Sequence, residues 1–238
     1  GVDTSNIISD PTRLTALVIL GIKDRETFPL IFYRDNCADM ALIKDDINED
    51  YISSSEALAI TGTHLSHKDT REAVLTALSF ATKHGLKRIL DIDFRPVLWG
   101  LTDLGDGETR FIASKHVTSE LQEVLNHFDL IVGTEEEFHI AGGSTDTMES
   151  LRNVRSKTSA TLVCKRGPYG ASVFEDEIYD NLDKGIQGRN FSIEVFNVLG
   201  AGDGFMAGLL RGWLRNEKWS TSLDYANACG AITVSRHG

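Results

Sequence analysis

The chain has 238 residues, a mass of 26.2 kDa, and 24 basic against 35 acidic side chains, for a net charge of −11 and a pI near 5.1. That balance argues against sequence-independent nucleic-acid binding, which depends on many Lys and Arg contacts to phosphates. With 41% hydrophobic and 25% charged residues, the composition excludes disorder and a collagen-like chain.

No apolar run approaches the roughly 18 to 20 residues of a membrane span; the longest, residues 16–22, has strand length. No basic segment followed by an apolar one opens the chain, so no secretory signal is expected. Cys37, Cys164 and Cys229 lie far apart and form no C-x-x-C pair. A disulfide framework or zinc site is therefore not expected, and the default location is a reducing cytoplasm.

In chain order, residues 15–21 and 29–34 read as strands joined by the charged stretch 23–27, and residues 38–42 as a third. Strands with no helix between them suggest antiparallel hairpins, so residues 1–50 are expected to form a partial β lid or edge strands. From residue 51 the pattern alternates. Residues 57–60 read as a strand ending at Thr61-Gly62. Residues 67–84 read as a helix with Ser66 as N-cap, an apolar stripe at Ala73, Ala77, Leu78 and Ala81, and Gly85 closing it.

A strand over 88–93, a polar loop over 105–108, a helix over 114–128, a strand over 129–133 and a short helix over 134–141 follow. Residues 144–157 read as a helix, 160–165 and 171–175 as strands, 191–199 as an extended apolar run, and 201–215 and 220–236 as helices. Strands separated by helices of this length imply parallel pairing with helices on both faces. The expectation for 51–238 is an α/β core: a three-layer α/β/α sandwich with a mostly parallel central sheet.

The chemistry concentrates where the apolar run meets Gly200-Ala201-Gly202-Asp203 and a helix begins. Small residues let backbone N–H groups converge there, and the helix N-terminus adds positive dipole. Asp203 at the mouth can accept a proton from a hydroxyl, a combination suited to phosphoryl transfer to an alcohol. The same spacing also reads as a tight glycine turn with Asp203 as N-cap. It is neither a Walker A loop nor a Rossmann fingerprint, since no G-x-x-x-x-G-K-[ST] occurs and Phe205 takes the third glycine's place.

Gly200-Ala201-Gly202-Asp203 with Phe205 and Gly208 resembles the C-terminal signature of the PfkB/ribokinase family of sugar kinases. Lys165-Arg166-Gly167-Pro168-Tyr169-Gly170 resembles that family's strand-turn-strand beside the ATP phosphates, and Ala228-Cys229-Gly230-Ala231 its small-residue helix beside adenine. Asp91-Ile92-Asp93-Phe94-Arg95-Pro96-Val97-Leu98-Trp99 resembles the acid-sugar branch. Phe32-Tyr33-Arg34 and Gly133-Thr134-Glu135-Glu136-Glu137-Phe138 point within it toward inositol breakdown. The resemblance runs through essentially the whole chain.

It implies a ribokinase-like fold and transfer of the γ-phosphate of ATP, with Mg²⁺, to the primary hydroxyl of a keto-deoxy sugar acid. The favoured acceptor is 5-dehydro-2-deoxygluconate, with 2-keto-3-deoxygluconate, fructose and ribose as alternatives. Asp203 is then the base, and the Gly200, Ala201 and Gly202 amides hold the transferring group. Lys165, Gly167, Gly170 and Gly202 face the nucleotide phosphates, Ala228 and Gly230 flank adenine, and Glu136 organises water around Mg²⁺. Arg34 and Arg95 take the substrate carboxylate or a phosphate, either of which a guanidinium grips through two parallel bonds; Tyr33 stands with Arg34 on the carboxylate side, and Gly62 lines the sugar site.

Trp99 is either a pocket wall or a core residue. His64 and His67 lack a third ligand at a matching spacing and do not read as a metal site. The chain departs from the family in three ways. Glycine replaces asparagine at Gly133. Asn197-Val198 stands where Asp-Thr precedes the signature, which leaves a monovalent-cation site open. The family's opening Gly-Gly motif and closing helix have no counterpart, so a fragment or disordered ends are expected, with a non-catalytic nucleotide- or sugar-binding module as the reading of another class. Lid strands in relatives pair between subunits, so a homodimer is expected, with neither nucleic acid nor membrane as partner.

Overall fold

The structure is a computed structural model that describes residues 1–23, 29–106 and 109–236. Most of the charged stretch 23–27 and half of the polar loop 105–108 lie outside the described residues.

Strands β1 (Leu17–Leu20) and β2 (Leu30–Tyr33) form a two-stranded antiparallel sheet in which Leu17 faces Tyr33 and Leu20 faces Leu30. Its inner face, Leu30 and Phe32 with Val18 and Leu20, packs on Val97 and Leu98. Period-2 alternation sends Leu17, Ile19, Ile31 and Tyr33 to the other face, where all four are exposed. The third strand expected over 38–42 is instead a 3-10 helix, Ala38–Ala41. Ala-Asp-Met-Ala carries no β-branched residue, and the Ala38 amide bonds the Leu14 carbonyl (2.9 Å) while Asp39 turns to Arg34.

The main sheet runs β3 (Ala57–Thr61), β4 (Lys87–Asp91), β5 (Leu130–Thr134), β6 (Thr161–Lys165), β7 (Ala171–Phe174) and β8 (Ile186–Gln187), in that spatial order. The first four are parallel; β7 runs antiparallel to β6, and β8 antiparallel to β7. Helix α1 (Glu49–Ser53), capped by Asn48, precedes β3. Leu90, Ile92, Ile131, Leu162 and Cys164 point to one face, covered by α2 (Lys68–Lys83), α3 (Lys115–Val124), α4 (Glu135–Gly142) and α5 (Thr147–Arg155). Ile89, Leu130, Val132, Val163 and Val173 point to the other, covered by α6 (Ala201–Trp213) and α7 (Trp219–Val234). Burial on both faces explains why β4 to β6 read as nearly continuous apolar runs. The layers are α/β/α as expected.

Three details differ from the sequence expectation. The N-cap of α2 is His67, not Ser66; Ser66 belongs to a 3-10 helix over Gly62–Ser66 and donates to the Thr63 carbonyl at 2.7 Å. Helix α5 starts at Thr147 rather than 144, because the Asp146 carboxylate accepts from the Glu149 amide (2.7 Å) and fixes the entry there. Residues 191–199 pair with no strand. Phe191, Ile193, Val195 and Leu199 are exposed, and the segment is tied to the end of α7 by the Phe196 amide on the Val234 carbonyl (2.7 Å).

Helices α6 and α7 approach unusually closely because Gly204, Gly208 and Gly212 recur every fourth residue along one face of α6. A Cβ on Gly208 would collide with the Tyr225 carbonyl oxygen, and one on Gly212 would sit 2.7 Å from Ser222 Cα. This glycine stripe sets α7 directly against the first turns of α6.

Candidate active site

In a parallel sheet the carboxyl ends of the strands converge on one edge, where open α/β folds carry their sites. Here that edge receives Thr61-Gly62 from β3, Asp91 to Arg95 from β4, Thr134 to Glu137 from β5, Lys165 from β6, and the N-terminus of α6.

Gly200 is the N-cap of α6, at φ 75°, and no side chain caps that end. Asp203 lies in the first turn, exposed and with no hydrogen-bond or ion-pair partner among the described residues. Its carboxylate is therefore not spent on capping, and the N-cap reading of Asp203 does not hold. The amide of Ala201 already donates to Val198 (3.3 Å) and that of Gly204 to Gly200 (2.8 Å). Those of Gly202 and Asp203 donate to nothing within the described chain. Of the three amides the sequence suggested, Ala201 therefore supplies none, while those of Gly200 and Gly202, and that of Asp203, have no acceptor among the described residues. Amides of this kind at a helix N-terminus, with the helix dipole behind them, form an anion site.

Beneath that turn lies a buried charge cluster. Lys165 Nζ sits 3.2 Å from Asp91 Oδ1 and 3.7 Å from Glu137 Oε2. It is also 3.7 Å from the place a Cβ on Gly202 would take. Lys165 is therefore only 13% exposed and held by two carboxylates below the α6 turn, rather than standing free at the sheet edge. Burial would lower its pKa, but Glu137 and Asp91 outweigh burial and push it up to about 12. Burial pushes the Asp91 carboxyl up to about 6 against the pull of Lys165, and the nearby Glu137 and Asp93 charges add to the rise.

Glu137 accepts from the Thr134 amide (2.7 Å) while its own amide donates to Thr134 Oγ1 (3.2 Å), a reciprocal capping box at the start of α4. Its other oxygen accepts from Arg95 Nη1 at 3.3 Å. Arg95 also pairs with Asp93 Oδ1 at 3.0 Å and donates to the Phe94 carbonyl. Asp93 adopts φ 37°, a left-handed conformation uncommon outside glycine, and accepts from Thr63 Oγ1 at 2.9 Å. Backbone conformations of this kind cluster at functional sites.

The remaining candidates fall into two groups. Arg34, at the end of β2, pairs with Asp39 at 2.6 Å, and its charge reaches His64 at the end of β3. There burial, then the Arg34 charge, lowers the imidazole pKa. The two-stranded ribbon thus brings Arg34 toward the sheet edge. Tyr33 lies on the outer face of the ribbon and is not brought to it. Gly62 is buried because a Cβ there would strike the Ile92 carbonyl oxygen, so its size serves close backbone packing beside the site.

Gly167 (φ 54°) and Gly170 (φ 77°) shape the turn after β6; a Cβ on Gly170 would also run into Asn190 Oδ1. On α7, Ala228 and Gly230 are half-buried, and a Cβ on Gly230 would lie 3.6 Å from the Ala201 carbonyl oxygen, so this small-residue stretch faces the α6 turn. Glu136 is exposed at the start of α4. Trp99 packs against the main core, and no group of three or more His, Cys, Asp or Glu among the described residues is arranged to hold a metal.

Sequence reasoning passed over Asp91, Asp93, Glu137 and Arg110. The alternation Asp91-x-Asp93-x-Arg95 leaving an apolar strand was an available signal for the first two. Arg110 has no ion-pair partner among the described residues. Burial, then the like charge of Arg95, lowers its pKa, with Glu137, Glu136 and Asp93 acting against them.

The family model described as pfkB family carbohydrate kinase matches residues 1–238. Curated relatives include 5-dehydro-2-deoxygluconokinase of Geobacillus kaustophilus, 30% identical over 243 residues, spanning 100% of this chain and 67% of the relative. The Bacillus subtilis protein of the same name is 30% identical over 242 residues, spanning 100% and 69%. Among solved structures, a putative ribokinase II from E. coli in complex with ATP and Mg²⁺ superposes with a TM-score of 0.77 at 21% identity, covering 96% of this chain and 67% of that one. Fructokinase from Vibrio cholerae O395 with fructose, ADP and calcium gives 0.77 at 20% identity, covering 100% and 72%. These two share the fold. No helix among the described residues is long and apolar enough to cross a membrane.

Proposed function

The chain belongs to the pfkB family of carbohydrate kinases, and from that premise we propose that it phosphorylates the primary hydroxyl of a keto-deoxy sugar acid, 5-dehydro-2-deoxygluconate, at the expense of ATP. The observation that carries this reading is the unpartnered Asp203 carboxylate beside the free amides of Gly202 and Asp203 at the start of α6. Asp203 accepts the hydroxyl proton, a role worth roughly 10² to 10⁴ in rate. The two amides hold the phosphoryl oxygens, at about 3 to 4 kcal/mol for a well-placed donor by analogy with oxyanion holes.

The residues at the sheet edge suit a nucleotide. Gly167 and Gly170 keep the turn after β6 free of side chains, and Ala228 and Gly230 offer a small-residue surface on α7. A bound Mg²⁺ would supply charge neutralisation for the phosphates. Glu136, exposed at the start of α4, is the carboxylate that would hold it through water. Arg34 and Arg95 orient the acid; Arg95 Nε has no acceptor among the described residues and is left to donate.

The internal pairing of Arg34 with Asp39, and of Arg95 with Asp93 and Glu137, favours a second reading, a neutral-sugar acceptor such as fructose or ribose. An ATP-coupled assay against 5-dehydro-2-deoxygluconate, 2-keto-3-deoxygluconate, fructose and ribose decides between them. Preference for a neutral sugar removes the carboxylate role from both arginines.

The two-stranded ribbon of residues 1–50 acts as a lid over the 51–238 core. Its exposed outer face of Leu17, Ile19, Ile31 and Tyr33 supports pairing with a second copy of the chain. Dependence on ATP and free thiols fits a cytoplasmic setting.

A further inference from the structure

The last carbonyls of a helix have no partner within it and carry the negative end of its dipole. At the end of α7 they are met by the segment that leads into the α6 turn. The Val234 carbonyl accepts from the Phe196 amide (2.7 Å) and the Asn197 amide (3.4 Å). The Arg236 carbonyl, just beyond the helix, accepts from Asn197 Nδ2 at 3.0 Å. The other end of the same carboxamide faces forward, where Asn197 Oδ1 accepts from the Leu199 amide at 3.0 Å. One half-buried side chain thus joins the α7 terminus to the residue before Gly200, whose left-handed φ of 75° starts α6.

Each end of the carboxamide has a single role here. Nδ2 must donate, because a carbonyl has no proton to give, and Oδ1 must accept, because the Leu199 amide offers only a proton. An aspartate at 197 has nearly the same shape but no proton. Its second oxygen would stand against the Arg236 carbonyl oxygen, at the negative end of α7. A cation between the two oxygens, or loss of the contact, is what relieves such a repulsion. The monovalent-cation site that the sequence left open at 197–198 therefore does not fit these residues. The Val234 and Arg236 carbonyls and Asn197 Oδ1 are all turned to N–H groups.

We propose that Asn197 is a positioning residue whose carboxamide takes the place of a monovalent cation, pinning the α6 turn to the end of α7, so that phosphoryl transfer is independent of potassium. Asn197 touches neither reactant. The kinetic half rests on the reading of that turn as the phosphoryl pocket, made above; the pinning does not.

The test compares potassium chloride with choline chloride at equal ionic strength, for the full chain and its Asn197→Asp and Asn197→Ala variants. Each is assayed with ATP and the sugar that the wild type turns over best, and each is melted in both salts. For the wild type the exchange is expected to change kcat by less than about 2-fold and to leave Tm in place. In choline, Asn197→Asp is expected to lose at least about 10-fold in kcat, as a small displacement of an aligned site does. Potassium is expected to restore most of that loss and to raise the variant's Tm by at least about 3 °C. Asn197→Ala is expected to be slow in both salts. Stimulation of the wild type by potassium of about 10-fold or more overturns the proposal, and that arm requires no variant. So does Asn197→Asp with wild-type kcat in choline, with a loss that potassium leaves unrepaired, or with a lower Tm and kcat intact. A wild type that phosphorylates none of the sugars overturns the kinase reading instead, while the Tm responses to potassium still decide the pinning.

Discussion

Replacing Lys165 with methionine is the sharpest perturbation of the buried cluster. The side chain keeps its length and apolar stem, while the ammonium that faces Asp91 at 3.2 Å and Glu137 at 3.7 Å is lost. At an effective dielectric of 20 the two attractions amount to about 5 and 4.5 kcal/mol before desolvation. Desolvation of the ammonium offsets much of this, and breaking one side of a buried ion pair costs about 3 to 5 kcal/mol net. For a chain of this size that corresponds to a fall in Tm of roughly 6 to 20 °C.

The loss also depends on pH. The folded Asp91 pKa, about 6, lies above its unfolded value of 3.8, so ionising Asp91 costs folding stability as pH rises through that window. Lys165 offsets that cost, and it remains charged at every pH in the window because its own pKa is near 12. The deficit of Lys165→Met relative to wild type is therefore expected to be larger at pH 7.5 than at pH 5, where Asp91 is mostly protonated with or without the lysine. Urea unfolding at the two pH values measures both. A deficit below about 1 kcal/mol, the size of an exposed pair, or one equal at both pH values refutes the reasoning.

Gly208→Ala is expected to destabilise by about 1 to 3 kcal/mol in thermal unfolding, although alanine is the better helix former, because its methyl meets the Tyr225 carbonyl. Ile31→Asp on the outer face of β2 is expected to move sedimentation toward monomer with an unchanged Tm; an unchanged oligomer argues against the lid as an interface. Arg110→Ala is expected to raise KM for an acid acceptor and leave KM for a neutral sugar alone, since its charge stands beside Arg95 without an ion-pair partner among the described residues.

Hydrophobic periodicity located β3 to β7 and α2 to α7 to within a few residues, because apolar runs between Gly and Asp punctuation leave few alternatives, while the two-residue β8 and the five-residue α1 were too short to show a period. The 3-10 helix at Ala38–Ala41 escaped it, since four residues of mixed character carry no period. The Gly200–Asp203 turn was legible because its chemistry is local in sequence. The cluster of Asp91, Asp93, Arg95, Glu137 and Lys165 was not. Its members lie 74 residues apart at the extremes and meet only through the parallel register that aligns the ends of β4, β5 and β6. Within the run Glu135-Glu136-Glu137, nothing local distinguishes the exposed carboxylate from the buried one. The helix start at Thr134 turns Glu137 inward and leaves Glu136 at the surface.

Phosphoryl transfer with Asp203 as base is tested most directly by Asp203→Asn in the full-length protein, measured by single-turnover transfer from ATP to the best sugar acceptor. The account predicts a loss of at least about 10²-fold in the transfer rate, with nucleotide binding and Tm unchanged because the side chain has no structural partner in the described chain. Transfer at the wild-type rate would contradict it.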